Sequence, residues 1–483
     1  AVPSMRRKIL HRLLPAFVAM FLTACAAVGP DYVKPELPEP ADWHTELQDG
    51  LIGEPPAPDI LTAWWAALDD PILTRLVERA IQGNLDLAQA RSRVREARAR
   101  RGISRAGLFP ALDASGSVTK SRSSENSGTG KEVDLYAAGF DAGWEIDVFG
   151  GVRRSVEAAE ADLQSSREDL NDVLVSLLAE VALNYVDART FQTRLDVAEA
   201  NLNAQEETYA LIRSRYEAGL SDALDLQQAR YNLEDTRSQI PSLRTGLEEA
   251  KNRLAVLIGE SPGAVHDELA EPQPIPVTPL TVAVGVPADT LRRRPDVRKA
   301  ERDLAAQTAR IGEAVADLYP KFSLAGSIGL ESLSSGSWLK SASRTWSIGP
   351  GVSWNVFDAG AIRSNIEVQT ALQEQALLAY EVTVLGALED VENALTAYAE
   401  EQVRRDILVD AVEAADLAVK LAQDKYKAGL VDFSNVLDSE RSLLSFQDQL
   451  AQSDGTVTSN LIALYKALGG GWDPSSPMEE TVQ

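Results

Sequence analysis

The chain has 483 residues, with 72 acidic against 47 basic side chains and a net charge of −25, a balance that argues against nucleic-acid binding. A single cysteine and three dispersed histidines (His11, His44, His266) exclude a disulfide framework and give no metal-ligating cluster. There is no nucleophile–base pairing and no phosphate loop, so neither an enzyme nor a cofactor is expected; the Ala-, Leu- and Glu-rich composition favours long helices.

The first predicted element is an export signal. Met5 is read as the start, Arg6, Arg7, Lys8 and Arg12 as a basic region, and Leu13–Leu22 as an apolar stretch too short to span a bilayer. It ends in "LTAC", which resembles a bacterial lipobox. Residues 1–24 are therefore expected to be removed and Cys25 to carry a covalent lipid. Ala26 in place of Asp implies, for such a lipoprotein, passage onward to the outer membrane.

After an anchored segment at 25–70, one pattern is written twice at an offset of 210 residues, which is far longer than a solenoid unit. "RYEAGLSD" at 215–222 returns as "KYKAGLVD" at 425–432, and "FPALDASGSV" from Phe109 faces "YPKFSLAGSI" from Tyr319. The first copy is assigned to 71–260, a Pro-rich linker to 261–286, the second copy to 287–470 and a tail to 471–483.

Each copy opens with a helix and two runs of strand character, about 110–148 and 321–357. Trp346, Ile348, Pro350, Val352, Trp354 and Val356 alternate with small or polar residues, as do Tyr136, Phe140, Trp144, Ile146 and Val148 with Gly, Asp and Glu. Apolar on one face and small or acidic on the other is the pattern of a transmembrane barrel strand, although a sheet over a soluble core would also alternate. Four strands cannot close a barrel, and open edges are not tolerated in lipid, so a spanning sheet needs at least a second chain. The residues do not choose among two, three and four.

A long heptad pattern comes next in each copy. Over 152–216 one row reads Leu174, Val181, Ala188, Leu195, Leu202, Tyr209 and Tyr216, which predicts a coiled-coil helix of about 60 residues, roughly 90 Å. Gly219 and Gly429 suit left-handed helix ends, Ser221 or Asp432 can cap the next helix, and returning helices are predicted over 222–259 and 432–468. Pro241 is expected to bend the first of these. Pro295 and Asp296 suit a helix start, whereas Arg292–Arg294 oppose its dipole and ask for a contact the sequence does not name.

Several motifs, in order, carry a resemblance: "AAVGPDYVKPELP", "WEIDVFGGVR", "LRRRPDVRKAE", "WNVFDAG", the two "AGL" turns and "YKALGGGW". Together they resemble the TolC-like outer-membrane efflux ducts, in the lipoprotein branch serving resistance-nodulation-division (RND) pumps. The resemblance implies an α+β membrane protein: a homotrimer with a twelve-stranded outer-membrane β-barrel, four strands per chain, continuous with a periplasmic coiled-coil tunnel. It implies an adaptor docking at Tyr216, Gly219, Leu220, Tyr426, Gly429 and Leu430, and an inner-membrane RND-type transporter as the further partner. It also places Asp438 and Arg441 at a periplasmic gate, with Gln228 and Tyr231 at the matching first-copy positions. The bulky apolar residue that often precedes such an acid by four positions is here Ser434.

The expected function is a passive exit duct for drugs or small molecules. Two alternatives stay open: the same duct serving type I protein secretion, and a coiled-coil lipoprotein without a pore.

Overall fold

The computed structural model describes residues 27–36, 40–48, 50–276 and 282–474. Cys25 and the signal segment lie outside them, as do the tail beyond 474 and part of the Pro-rich linker. The labelled elements are helices α1 (Pro71–Gly83) and α2 (Leu85–Ala106), strands β1 (Ala111–Arg122) and β2 (Glu132–Ile146), then α3 (Gly151–Glu217) and α4 (Ala223–Leu257). The order recurs as α5 (Pro287–Arg293), α6 (Pro295–Ala316), β3 (Lys321–Ser332), β4 (Arg344–Ser353), α7 (Ala361–Lys427) and α8 (Phe433–Ala467). The long helices match in length as well as in order: α3 and α7 have 67 residues each, and α4 and α8 have 35 each.

Two compact units are present, and both draw on both copies. One holds the segment ending at Glu36, Arg93–Arg167 and Lys299–Glu381; the other holds Leu37–Ser92, Glu168–Arg298 and the chain from Val382. The copies interleave because strands from both are needed for one sheet and helices from both for one bundle.

In the first unit the strands form an antiparallel sheet in the order β1-β2-β3-β4. Its register collects the apolar residues on one face. Ala114, Phe140, Ile328 and Trp346 make one row, and Leu112, Ala142, Gly326 and Ile348 another. Its side chains are solvent-exposed in the single chain, Ile328 at 65% and Trp346 at 74%. The other face carries Asp113, Asp141, Ser327 and Ser347 in a row. There Ser115 Oγ donates to Asp141 Oδ2 at 3.2 Å, and Ser327 and Ser347 share a bond of 2.8 Å. Among the described residues β1 pairs only with β2 and β4 only with β3, so both sheet edges are open.

The strands stop short of the predicted ends. Ile146 pairs with Phe322 and Ser353 with Lys321, and Pro320, which has no N–H, ends the ladder. Val148, Trp354 and Val356 therefore lie beyond the sheet. Both tryptophans near the ends of the alternation instead tie their indoles to the preceding turn: Trp144 Nε1 donates to Leu108 O and Trp354 Nε1 to Leu318 O, each at 3.0 Å.

In the second unit the heptad rows pack as coiled-coil seams. Val181, Ala188, Val391 and Tyr398 are all within 1% of full burial. Ala198 on α3 meets Ile240 and Leu243 on α4, so the two run antiparallel as a hairpin. Arg194 on α3 grips Asp448 on α8 with both its Nε and Nη2, at 2.8 and 3.2 Å. Helix α4 continues through Pro241 without interruption.

The arginine cluster finds its partners inside the chain. Arg293 donates to the carbonyls of Gly469 (3.0 Å) and Trp472 (2.7 Å), and Arg294 to Ala467 O at 3.0 Å. Arg294, only 9% exposed, also binds Asp296 and Asp390 at 2.7 and 2.9 Å. The "RRRPD" and "YKALGGGW" motifs thus clasp each other, and the contact that the sequence leaves unnamed is, for Arg293 and Arg294, made within the chain. The first-copy counterpart is lighter: Asn84 Nδ2 donates to Leu257 O at 2.9 Å, while its Oδ1 accepts from Leu87 N.

Candidate functional site

The two hairpin tips are built alike. At the first, Leu220 N bonds Arg215 O at 2.8 Å and Gly219 N bonds Tyr216 O at 2.9 Å; at the second, Leu430 N bonds Lys425 O and Gly429 N bonds Tyr426 O, each at 2.9 Å. This paired closure satisfies the last helical carbonyls and requires a left-handed residue, which glycine supplies at φ +72° in both. The next helices start differently. Asp222, not Ser221, caps α4 by accepting from Asp225 N, while Ser221 donates to the Asp225 carboxylate. Asp432 occupies the capping position of α8, but its side chain takes no cap bond.

Of the residues expected to dock a partner, Leu220 and Leu430 are 69% and 73% exposed, and Tyr216 is 43% exposed. Tyr426 behaves otherwise. It is half-buried, 5.3 Å from the Phe433 ring, with the Arg215 guanidinium 5.1 Å from its own centroid. It packs on the cluster of Ile212, Ala229, Phe433, Val436 and Leu437, which joins the two hairpins behind their tips. Tyr426 therefore holds the tips together more than it offers a surface.

Just inside the second tip, the Asp438 side chain is 76% exposed and Arg441 Nη1 stands 3.7 Å from its carboxylate. An exposed pair at that distance contributes little. The nearer commitments of Arg441 run across to α4, where its Nε donates to Asn232 Oδ1 at 2.8 Å and its guanidinium lies 4.9 Å from the Tyr231 centroid. Tyr231 stands 210 residues before Arg441, so matching positions of the two copies pack on each other here. Ser434 is exposed and Gln228 half-buried.

Sequence reasoning passed over Glu440. On α8, Phe433, Val436, Leu437 and Leu444 form a core stripe, and Glu440 occupies the next step of that stripe at 6% exposure. A charged residue at a seam position between apolar ones was the available signal.

The outer membrane efflux protein family model matches residues 76–260 and again 286–470. The chain is 34% identical over 472 residues to nodulation protein T of Rhizobium leguminosarum bv. trifolii, covering 96% of this chain and 98% of that protein. It is 32% identical to the solvent efflux pump outer membrane protein SrpC of Pseudomonas putida, with the same coverage. Among solved structures, the outer-membrane channel OprN superposes with a TM-score of 0.88 at 36% identity, over 93% of this chain and 100% of that one. With the model matched on both copies and relatives aligned end to end, this chain belongs to the outer membrane efflux protein family.

Proposed function

We propose that the chain is the exit duct of a tripartite efflux system, a homotrimer anchored by a lipid on Cys25. Three copies of the sheet would close a twelve-stranded barrel, and six hairpins would form the periplasmic tunnel. The observation that carries this reading is the sheet itself: apolar rows on one face, small, polar and acidic residues on the other, and two open edges. Neither edge is tolerable in lipid alone, and joining β4 of one copy to β1 of the next removes both. The polar face then lines a wet lumen through which small molecules from an inner-membrane RND-type transporter leave. The repeat-based division at 71–260 and 287–470 supplies each protomer with two equivalent tips for the adaptor.

Asp438 would stand in three copies around the mouth, giving a cation-attracting constriction. Asp438→Ala is expected to raise single-channel conductance in planar bilayers and lower cation selectivity, while Gln228→Ala leaves both near the parent values. A parent protein that opens no pore would sink the duct reading, and equal traces for the three proteins would remove Asp438 from the constriction.

The tips test the docking. A Cβ at Gly219 or Gly429 would meet nothing within 4 Å, so Gly219→Val with Gly429→Val acts only through backbone conformation, at roughly 1–2 kcal/mol per site. Crosslinking to the adaptor is expected to fall while the amount of protein in the membrane stays unchanged. Parental crosslinking and drug resistance in the double variant would place docking elsewhere.

A further inference from the structure

Glu440 lies where a carboxylate is expensive, in a packed helical seam. Its Oε1 accepts from Thr208 Oγ1 of α3 at 3.0 Å and from Gln423 Nε2 of α7 at 3.3 Å, so it ties a helix of the first hairpin to both helices of the second. Its Oε2 is buried and has no hydrogen-bond partner among the described residues. Among the described residues, no ion pair reaches its carboxylate, whose only hydrogen bonds come from Thr208 and Gln423. Its bonded neighbours are Thr208 from α3 and Gln423 from α7; Ile212 and Tyr426, one turn on from each, belong to the adjoining apolar cluster. On α4, Asn232 is taken by Arg441, the next residue of α8, whose guanidinium turns to that helix and Tyr231. Charged residues further along these helices include Glu206 and Lys420, exposed in pairs with Arg237 and Asp416, and Arg215 of α3, whose guanidinium lies 5.1 Å from the Tyr426 centroid with its Nε buried.

The layer around Glu440 is poorly satisfied. Both amide atoms of Gln205, one turn from Thr208, are buried without a hydrogen-bond partner among the described residues, and so are Asn232 Nδ2 and Arg441 Nη2. Buried polar atoms without a hydrogen-bond partner in the protein weaken a closed packing, and separation of the helices would expose them to solvent. Burial pushes the Glu440 carboxyl up from its ordinary range, against the smaller opposing effect of its Thr208 and Gln423 bonds.

We propose that Glu440 is a proton-controlled latch between the two hairpins: protonated, it stays in the closed layer, and ionised, it favours separation of the helices and entry of water behind the tips. That this end is the periplasmic mouth rests on the duct reading; the latch itself does not. The sign comes from linkage. A carboxyl that binds its proton more tightly in the closed layer stabilises that layer below the ordinary carboxylate range and loses this stabilisation as pH rises through its raised value. One proton is exchanged, so the closed-to-open ratio changes by at most about tenfold per pH unit.

The test is amide hydrogen exchange of the full-length protein in detergent at pH 5 and pH 8, with rates divided by the intrinsic rate at each pH. In the parent, protection over 205–212 and 433–444 is expected to fall several-fold at pH 8. Glu440→Gln, which mimics the neutral acid, is expected to stay protected at both. Glu413→Gln, at an exposed acid of α7 away from this layer, is expected to keep the parental dependence. Thr208→Val, which removes a donor to the ionised form, is expected to move the transition to higher pH. Equal protection at both pH values in the parent, or a dependence that survives in Glu440→Gln, overturns the latch. Bilayer conductance separates the two readings: pH-dependent protection in a protein that opens no pore supports the latch and overturns the duct.

Discussion

Ile328→Lys is expected to remove most of the protein from the outer-membrane fraction, while Ser327→Lys leaves it there. Ile328 sits mid-row between Phe140 and Trp346 on the apolar face, 65% exposed. Ser327 sits between Asp141 and Ser347 on the opposite face, one residue away in sequence. A lysine facing lipid near the bilayer midplane costs about 2–4 kcal/mol, and a trimer would carry three of them. On the wet side the same lysine meets Asp113 and Asp141 and is tolerated. Fractionation with subsequent semi-native electrophoresis reads both amounts. Equal membrane yields for the two variants would mean that the apolar face does not contact lipid, and the barrel reading would fall with it.

Gly259→Ala is expected to destabilise the fold far more than Gly469→Ala, although the two glycines are equivalent in the repeat. Both adopt left-handed conformations, at φ +79° and +73°. That costs a side chain roughly 1–2 kcal/mol in either place. At Gly259, however, a Cβ would stand 2.1 Å from the carbonyl oxygen of Gly83, and a Cβ on Gly83 would stand 2.3 Å from Ile258 O. These are backbone atoms in a close helix-end crossing, so nothing flexible can yield, and displacement adds about 1–3 kcal/mol. At Gly469 the nearest atoms, Cα and Cγ of Arg294, are 3.3 Å away, so a methyl group asks for a shift of only a few tenths of an ångström. Thermal denaturation of the detergent-solubilised protein checks the difference. Similar midpoint losses for the two variants would show that the backbone term alone decides, and that the tight crossing yields to a methyl group.

The elements themselves were legible from local chemistry. The interval 152–216, bounded by a strand signal and the "RYEAGL" turn and carrying a heptad row from Leu174 to Tyr216, matches α3 to within a residue at each end, because a coiled-coil seam repeats along one chain. The Gly219 and Gly429 turns and the period-two alternation around Ile328 and Trp346 are equally local, so their faces could be assigned before any contact was known. The 210-residue offset placed the same elements twice. What the sequence could not settle were pairings between the copies. The partners of Arg293 and Arg294 lie some 175 residues on, at the end of α8, and no periodicity links them. Whether Arg441 holds Asp438, three residues away, or Asn232, on another hairpin, is a competition that helix packing decides in favour of Asn232. Tyr426 was read as a tip surface and turned inward, because Phe433 and Arg215 give its ring a better place than water. Glu440 shows the limit most clearly: its place between Leu437 and Leu444 is readable along α8, but its burial and its bonds to Thr208 and Gln423 depend on α3 and α7 packing against it.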